Sequence, residues 1–300
     1  MKNNIAVIGL GSMGYGIATS CLRSGHLVWG VDKNIDQVKA FCSQGGQAST
    51  LSSVIDKIDV VVVVVLNSVQ TEEVLFGQEG LVENLKPGTV VISCATVAPT
   101  FAIDMERRCK EFEIFYLDAP ISGGALKAKN GQLSIMASGV KEAFQHARPT
   151  LDSISETVFE LGDEAGTGSA MKSVNQLLAG VHIAVMAEAL TFGISQGISP
   201  DKFVEVISKC AGTSWMLENR APHIVNGDYK PHSSINIWPK DLGIVLDVAL
   251  ESKFNAPIAT AALEQFRTAV DMGLGFEDDA AVAKVYAKSA NLSLPKKNDV

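Results

Sequence analysis

Six residues near the N-terminus, Gly9-Leu10-Gly11-Ser12-Met13-Gly14, follow an apolar run and open a helical pattern over 15–23. Glycine at the first position permits a tight turn. Glycine at the third lets backbone N–H groups approach a pyrophosphate, and glycine at the sixth lets helix and strand pack closely. The N–H groups at the start of the following helix then face the anion. A second apolar run ends in Asp32, at the spacing such a loop requires. Its carboxylate suits both hydroxyls of an adenosine ribose and repels a 2′-phosphate, which points to NAD over NADP, with Lys33 beside it softening that exclusion. A second candidate pair is Lys172 and Asn175, three apart and therefore on one face near the start of a long helical pattern. A lysine there is either a solvated surface charge or an amine kept from water for proton transfer. Ala170, Met171, Val174 and Leu177 around it favour the second, and the positive end of a helix dipole favours the neutral amine.

These residues need a scaffold, and the chain supplies one in two textures. Over 5–9, 27–31, 59–66, 89–94, 114–118, 133–137 and 158–161, short runs rich in β-branched residues alternate with helical patterns. The valines at 60–65 do not alternate with polar residues, as expected of a strand covered by helices on both faces. The fold class is therefore α/β, with an N-terminal doubly wound parallel sheet of the Rossmann type over 1–165. From 166 to 300 the pattern is all-α, a domain for substrate binding and oligomerisation. It opens with one helix over 169–196, about 42 Å long. Met171, Val174, Leu178, Val181, Val185 and Leu190 form a stripe on it, widened by Leu177, Ala184 and Ala187. A helix apolar on most sides is covered by several neighbours, a second subunit among them, so a homodimer or homotetramer is expected. Ser199-Pro200 and Ala256-Pro257 mark later helix starts.

Composition narrows the partners. The 300 residues carry a formal net charge of −8, which argues against nucleic acid or an anionic membrane but leaves room for a small anion in a local cationic pocket. Five scattered cysteines, with no CxxC, read as free thiols of a reducing compartment. The N-terminus lacks a signal-type cleavage region, and the apolar run over 60–66 is too short for a bilayer, so a cytoplasmic protein is expected. No His, Asp or Glu cluster has metal-ligand spacing.

Four motifs, in order and at matching spacing over nearly the whole chain, resemble those of the β-hydroxyacid dehydrogenases related to 3-hydroxyisobutyrate dehydrogenase. They are the loop Gly9-Leu10-Gly11-Ser12-Met13-Gly14; the segment Asp118-Ala119-Pro120-Ile121-Ser122-Gly123-Gly124, continuing through Ala128 and Gly131; the stretch from Gly166 to Gln176; and Lys240-Asp241-Leu242. The resemblance implies that Lys172 is the catalytic acid/base and that Ser122, Gly123, Gly124 and Asn175 bind substrate. It further implies that Leu66, Asn67, Thr96 and Lys240 join the glycine loop and Asp32 around NAD. A lysine acting as base near neutral pH must titrate well below the reference value of about 10.4.

The wording of the loop through Tyr15-Gly16-Ile17-Ala18 is most similar to the branch that acts on L-threonate. That branch oxidises this four-carbon sugar acid at C2 to the 2-keto acid, 2-dehydro-L-erythronate. The alternatives within the family are 3-hydroxyisobutyrate oxidation and tartronate semialdehyde reduction. A non-catalytic dinucleotide-binding module is disfavoured by the presence of both Lys172 and Asn175. One departure is Lys127, where many family members carry glycine; it can alter the loop or add a cation near the substrate entrance.

Overall fold

Buried, non-alternating valine and isoleucine runs become parallel strands here because helices cover both faces of the sheet they form. In the computed structural model, which describes residues 2–297, that sheet comprises β1 (Asn4–Ile8), β2 (Leu27–Val31), β3 (Val60–Val63), β4 (Val90–Ser93) and β5 (Phe115–Asp118), in the order β2-β1-β3-β4-β5. Ile5 stands between Val28 and Val60 in the register, and every residue of β3 and β4 is buried. Side chains alternate between two cores. Val7, Val62 and Ile92 join one with Ile17, whereas Ile8, Val61 and Val91 join the other with Met105. The helices are α1 (Gly14–Arg23), α2 (Ile35–Ser43), α3 (Ser68–Phe76) and α4 (Pro99–Lys110). The strand order reverses between β1 and β3, the place where open sheets of this kind bind ligands.

Two features differ from the sequence expectation. The strand predicted over 59–66 ends as β3 at Val63, so Leu66 and Asn67 lie in the loop beyond the sheet. The predicted strands at 133–137 and 158–161 do not extend the parallel sheet. With β6 (Ile121–Ser122), they form a second sheet of β7 (Leu133–Ala137) and β8 (Ser155–Glu160), β6 antiparallel to β7 and β7 parallel to β8. Pro120 has no N–H to offer a ladder, so β5 cannot run on and the chain turns out of the first sheet. A single antiparallel bridge, Asp118 to Ser138, marks the corner. Helices α5 (Gly124–Asn130) and α6 (Lys141–Ile154) complete this part.

The rest is helical: α7 (Thr167–Ser195), α8 (Pro200–Ile207), α9 (Trp215–Val225), α10 (Ile237–Glu251), α11 (Pro257–Asp271) and α12 (Ala283–Ser289). Two predicted starts are present for the physical reasons expected. Pro200 and Pro257 open α8 and α11, where the missing N–H costs nothing, and the Ser199 hydroxyl accepts from the Lys202 N–H. Compactness divides the chain into Met1–Lys172 and Ser173–Val300, the division falling inside α7. By length and composition α7 could also cross a membrane. Here Ile183, Met186, Ala187 and Leu190 anchor the second unit's core with Leu217, Ile224, Trp238, Leu242 and Phe266. Met171, Val174, Leu178, Val185 and Phe192 on the same helix are exposed.

Candidate active site

The glycine loop leaves β1 at Ile8 and turns at Gly9, whose φ of +94° an L side chain rarely adopts and whose N–H donates to the Val31 carbonyl at 2.8 Å. A Cβ on Gly9 would lie 2.3 Å from the Val64 carbonyl oxygen, and one on Gly14 only 1.8 Å from that of Gly9. A Cβ on Gly11 would meet nothing within 4 Å. Two of the three glycines thus permit close packing, while the third keeps the outer side of the loop open. Asp32 follows β2, and its Oδ2 accepts from the Leu10 N–H at 2.6 Å while Oδ1 accepts from the Asn34 N–H at 2.7 Å. With Leu10, Gly11, Ser12, Tyr15 and Asn34 it lines a pocket. A carboxylate held at such a pocket beside an open glycine backbone fits the adenosine and pyrophosphate of a dinucleotide.

The loops after β3 and β4 leave the same edge of the sheet as this one. Asn67 accepts from the Gln70 N–H at 2.9 Å and so caps α3, while the Leu66 N–H donates to Gln70 Oε1 at 2.9 Å. The Leu66 side chain is 62% exposed. Thr96, beyond β4, is half-buried. All the predicted cofactor residues of the first unit therefore lie at carboxyl ends of parallel strands.

Lys172 is 7% exposed, and its Nζ donates to the Ile121 carbonyl at 2.8 Å. Its head accordingly rests on the segment leading into Ser122, Gly123 and Gly124. Ser122 pairs with Ser134 in the small sheet, and Gly123 and Gly124 both take positive φ, 133° and 76°. This backbone would be strained with any other residue type. The stem of Lys127 crosses Gly123, where an added Cβ would come 2.8 Å from Lys127 Cδ, and its Nζ lies 3.5 Å from Glu156 on β8. The family departure at 127 thus adds a surface ion pair to the rim of the segment.

The start of α7, which carries Lys172, is held by groups the sequence analysis left without a role. The Gly166 and Ser169 N–H groups donate to Asp118 Oδ2 at 3.0 and 2.7 Å, the Ser169 hydroxyl donates to Oδ1 at 2.6 Å, and the Gly168 N–H donates to the Ser138 hydroxyl at 3.0 Å. Burial pushes the Asp118 carboxyl up from the usual carboxylate range, and the bonds from Ser169 and Gly166 pull it back.

In the second unit, Asn175 donates to Gln176 Oε1 at 2.9 Å, and Gln176 donates to Asp241 Oδ2 at 2.5 Å. Lys240 Nζ lies 2.6 Å from the other oxygen of Asp241. Asn175 and Lys240 are therefore joined through two intermediaries. Gln176 and Asp241 both fall within the family motifs, but nothing local in the sequence marks them as an inward-facing pair. Trp238 stacks on Phe266 and donates to Asp279 at 3.0 Å, which makes it a packing residue. Among the described residues, no group of three or more His, Cys, Asp or Glu could hold a metal ion.

Residues 4–162 match the family described as the NAD binding domain of 6-phosphogluconate dehydrogenase. Residues 166–286 match that described as NAD-binding of NADP-dependent 3-hydroxyisobutyrate dehydrogenase. The L-threonate dehydrogenase of Cupriavidus necator is 46% identical over 287 residues, 95% of this chain and 97% of that protein. The L-threonate dehydrogenase of Escherichia coli K12 is 42% identical over 286 residues, 95% of each. Among solved structures, 3-hydroxyisobutyrate dehydrogenase from Salmonella typhimurium superposes with a TM-score of 0.89 at 40% identity, covering 95% of this chain and 100% of that one.

Proposed function

This chain belongs to the β-hydroxyacid dehydrogenases related to 3-hydroxyisobutyrate dehydrogenase, enzymes that use NAD(P) on small hydroxy acids, and we propose that it oxidises L-threonate with NAD to 2-dehydro-L-erythronate. The observation that carries the substrate is the match, over nearly its whole length, to L-threonate dehydrogenases. The preference for NAD rests on Asp32, whose carboxylate faces the pocket that the ribose would fill. A second reading, 3-hydroxyisobutyrate, is favoured by the name of the solved structure at 40% identity.

The roles follow from chemistry. Leu10, Gly11, Ser12 and Met13 of the glycine loop, with Asp32, Leu66, Asn67 and Thr96, hold the dinucleotide. When bound, the nicotinamide supplies the electron-pair acceptor for the carbinol hydrogen. Ser122, with the backbone of Gly123 and Gly124, binds the substrate carboxylate. Lys172, as the neutral amine, takes the hydroxyl proton during oxidation and returns it to the carbonyl oxygen during reduction. Asn175 and Lys240 take their roles, substrate register and the nicotinamide end, from the family resemblance.

The test is the rate of NADH or NADPH formation with L-threonate, D-erythronate, 3-hydroxyisobutyrate and D-glycerate, each with NAD and with NADP. A site built to pair with the extra hydroxyl of a sugar acid should favour L-threonate by at least about 100-fold in kcat/KM over 3-hydroxyisobutyrate. NAD is expected to outperform NADP. Faster turnover of another acid overturns the substrate and leaves the chemistry, whereas equal use of NADP overturns the role of Asp32.

The exposed apolar residues of α7, Met171, Val174, Leu178, Val185 and Phe192, follow one another at intervals of three, four, seven and seven, which keeps them on one stripe, as on a helix that meets another helix. We place a subunit contact there, in a homodimer or homotetramer, and the free cysteines fit a cytoplasmic location. Light scattering should give a mass of two or four chains, and Leu178→Glu should shift it toward one. A wild-type monomer at micromolar concentration refutes the contact.

A further inference from the structure

Asp118 is buried at the end of β5, where it touches the start of α7 rather than the segment that follows it. Its two oxygens take three hydrogen bonds, from the Gly166 N–H, the Ser169 N–H and the Ser169 hydroxyl, all within 3.0 Å. The first N–H groups of a helix lack partners within the helix, and a carboxylate satisfies them while matching the positive end of the dipole. An N-cap normally comes from the residue just before the helix. Here it comes from about fifty residues earlier in the chain, so the bond also fixes where α7 begins relative to β5. Ser138 adds a bond from the other side, through the Gly168 N–H, and Gly168 is wedged so tightly that a Cβ would stand 2.5 Å from the Asp118 carbonyl oxygen.

One turn beyond Ser169, Lys172 extends back to the Ile121 carbonyl, three residues after Asp118. The chain thus closes a ring, from Asp118 to Ser169, along one helical turn to Lys172, through Nζ to Ile121, and back along the segment to Asp118. A lysine stem has four rotatable bonds, and its head can be held in one place only if the base of the stem is held first. We infer that Asp118, with Ser169, is a positioning residue for the reaction: it anchors the first turn of α7 so that the amine of Lys172 is aimed at the edge of the substrate segment. The inference rests on the proposed role of Lys172 as acid/base.

Four single variants and two double variants test it, read by kcat and KM for L-threonate, the dissociation constant of NAD, and melting temperature. Asp118→Ala is expected to lower kcat about 100-fold, the size of effect that a displacement of about 1 Å produces, with KM and NAD affinity changed less than about threefold. Ser169→Ala, which removes one of the three bonds, should lower kcat about tenfold. Asp118→Asn should recover most of the loss. Its amide oxygen can accept from both N–H groups, and its amide nitrogen can donate to the Ser169 hydroxyl. Adding Asp118→Ala or Ser169→Ala to Lys172→Ala should reduce kcat no further than Lys172→Ala alone, because residues that act through one group are not additive.

Full kcat in Ser169→Ala and Asp118→Ala overturns the inference. So do losses that recur undiminished in the Lys172→Ala background, since a merely structural role would lower both backgrounds alike. If Asp118→Ala does not fold, Ser169→Ala and its double variant decide the matter. Full kcat in Lys172→Ala itself removes the acid/base assignment, and the inference with it. Loss in that variant alone, with Asp118 and Ser169 silent, removes the positioning role and leaves the assignment standing.

Discussion

Replacing Lys172 with alanine is expected to lower kcat for L-threonate oxidation about 1000-fold while NAD still binds, because a positioned acid/base group contributes about 100- to 10,000-fold. The amine is buried and engaged with the Ile121 carbonyl, which puts it beside the glycine pair that would hold a carboxylate. Oxidation needs the neutral amine and reduction needs the ammonium, so the two directions should depend on pH with opposite sign. The oxidation rate rises with pH as the lysine loses its proton, and the reduction rate falls over the same range. Both dependences should vanish in Lys172→Ala. Lys172→Arg separates charge from proton transfer. A guanidinium keeps the positive charge but cannot give up its proton in a protein, so this variant should be as inactive as alanine. Recovery in Lys172→Arg would reduce the lysine to an electrostatic role, and an unchanged basic limb in Lys172→Ala would sink the assignment altogether.

The second large effect concerns the cofactor loop, where two glycines should fail in different ways. In Gly14→Ala the new Cβ would stand 1.8 Å from the Gly9 carbonyl oxygen and 3.3 Å from Val64 Cβ, so α1 must move away from the loop. Overpacking of this kind costs about 1–3 kcal/mol of stability. It also withdraws the helix start from the pyrophosphate. Charge-assisted hydrogen bonds contribute about 1.5–3 kcal/mol each, so NAD should bind about 100-fold more weakly. Gly11→Ala has open space around its new Cβ, and its melting temperature should stay at the wild-type value. If the space belongs to the cofactor, NAD affinity should nonetheless fall about tenfold. Melting curves and NAD titrations of the two variants check both claims. Unchanged NAD affinity in Gly11→Ala would mean that the pyrophosphate does not lie against the loop.

These effects differ in how far they were visible in the chain itself. The parallel sheet, the glycine loop and Asp32 were legible because each depends on residues close in sequence. Unbroken β-branched runs mark doubly covered strands, three glycines over six residues mark one turn, and Asp32 simply ends the next strand. Pro200 and Pro257 announced helix starts for an equally local reason, a ring that lacks an N–H. Lys172 and Asn175 came out of one helical repeat joined to a family resemblance.

What the sequence alone determined is the set of local geometries: which segments extend, which coil, and where the backbone can approach a phosphate. What only the tertiary structure decided is which distant groups meet. Asp118 and Ser169 stand 51 positions apart, as do Lys172 and Ile121, and Gln176 and Asp241 are 65 apart. The small sheet of β6, β7 and β8 likewise exists because Pro120 turns the chain out of the first sheet, onto partners that no run of residues names in advance. On α7 the sequence shows a helix apolar on most sides, and the packing of its neighbours selects the stripe left exposed. Periodicity is a property of one element, whereas contact is a property of two, so their pairing is settled only when both are packed against the same core.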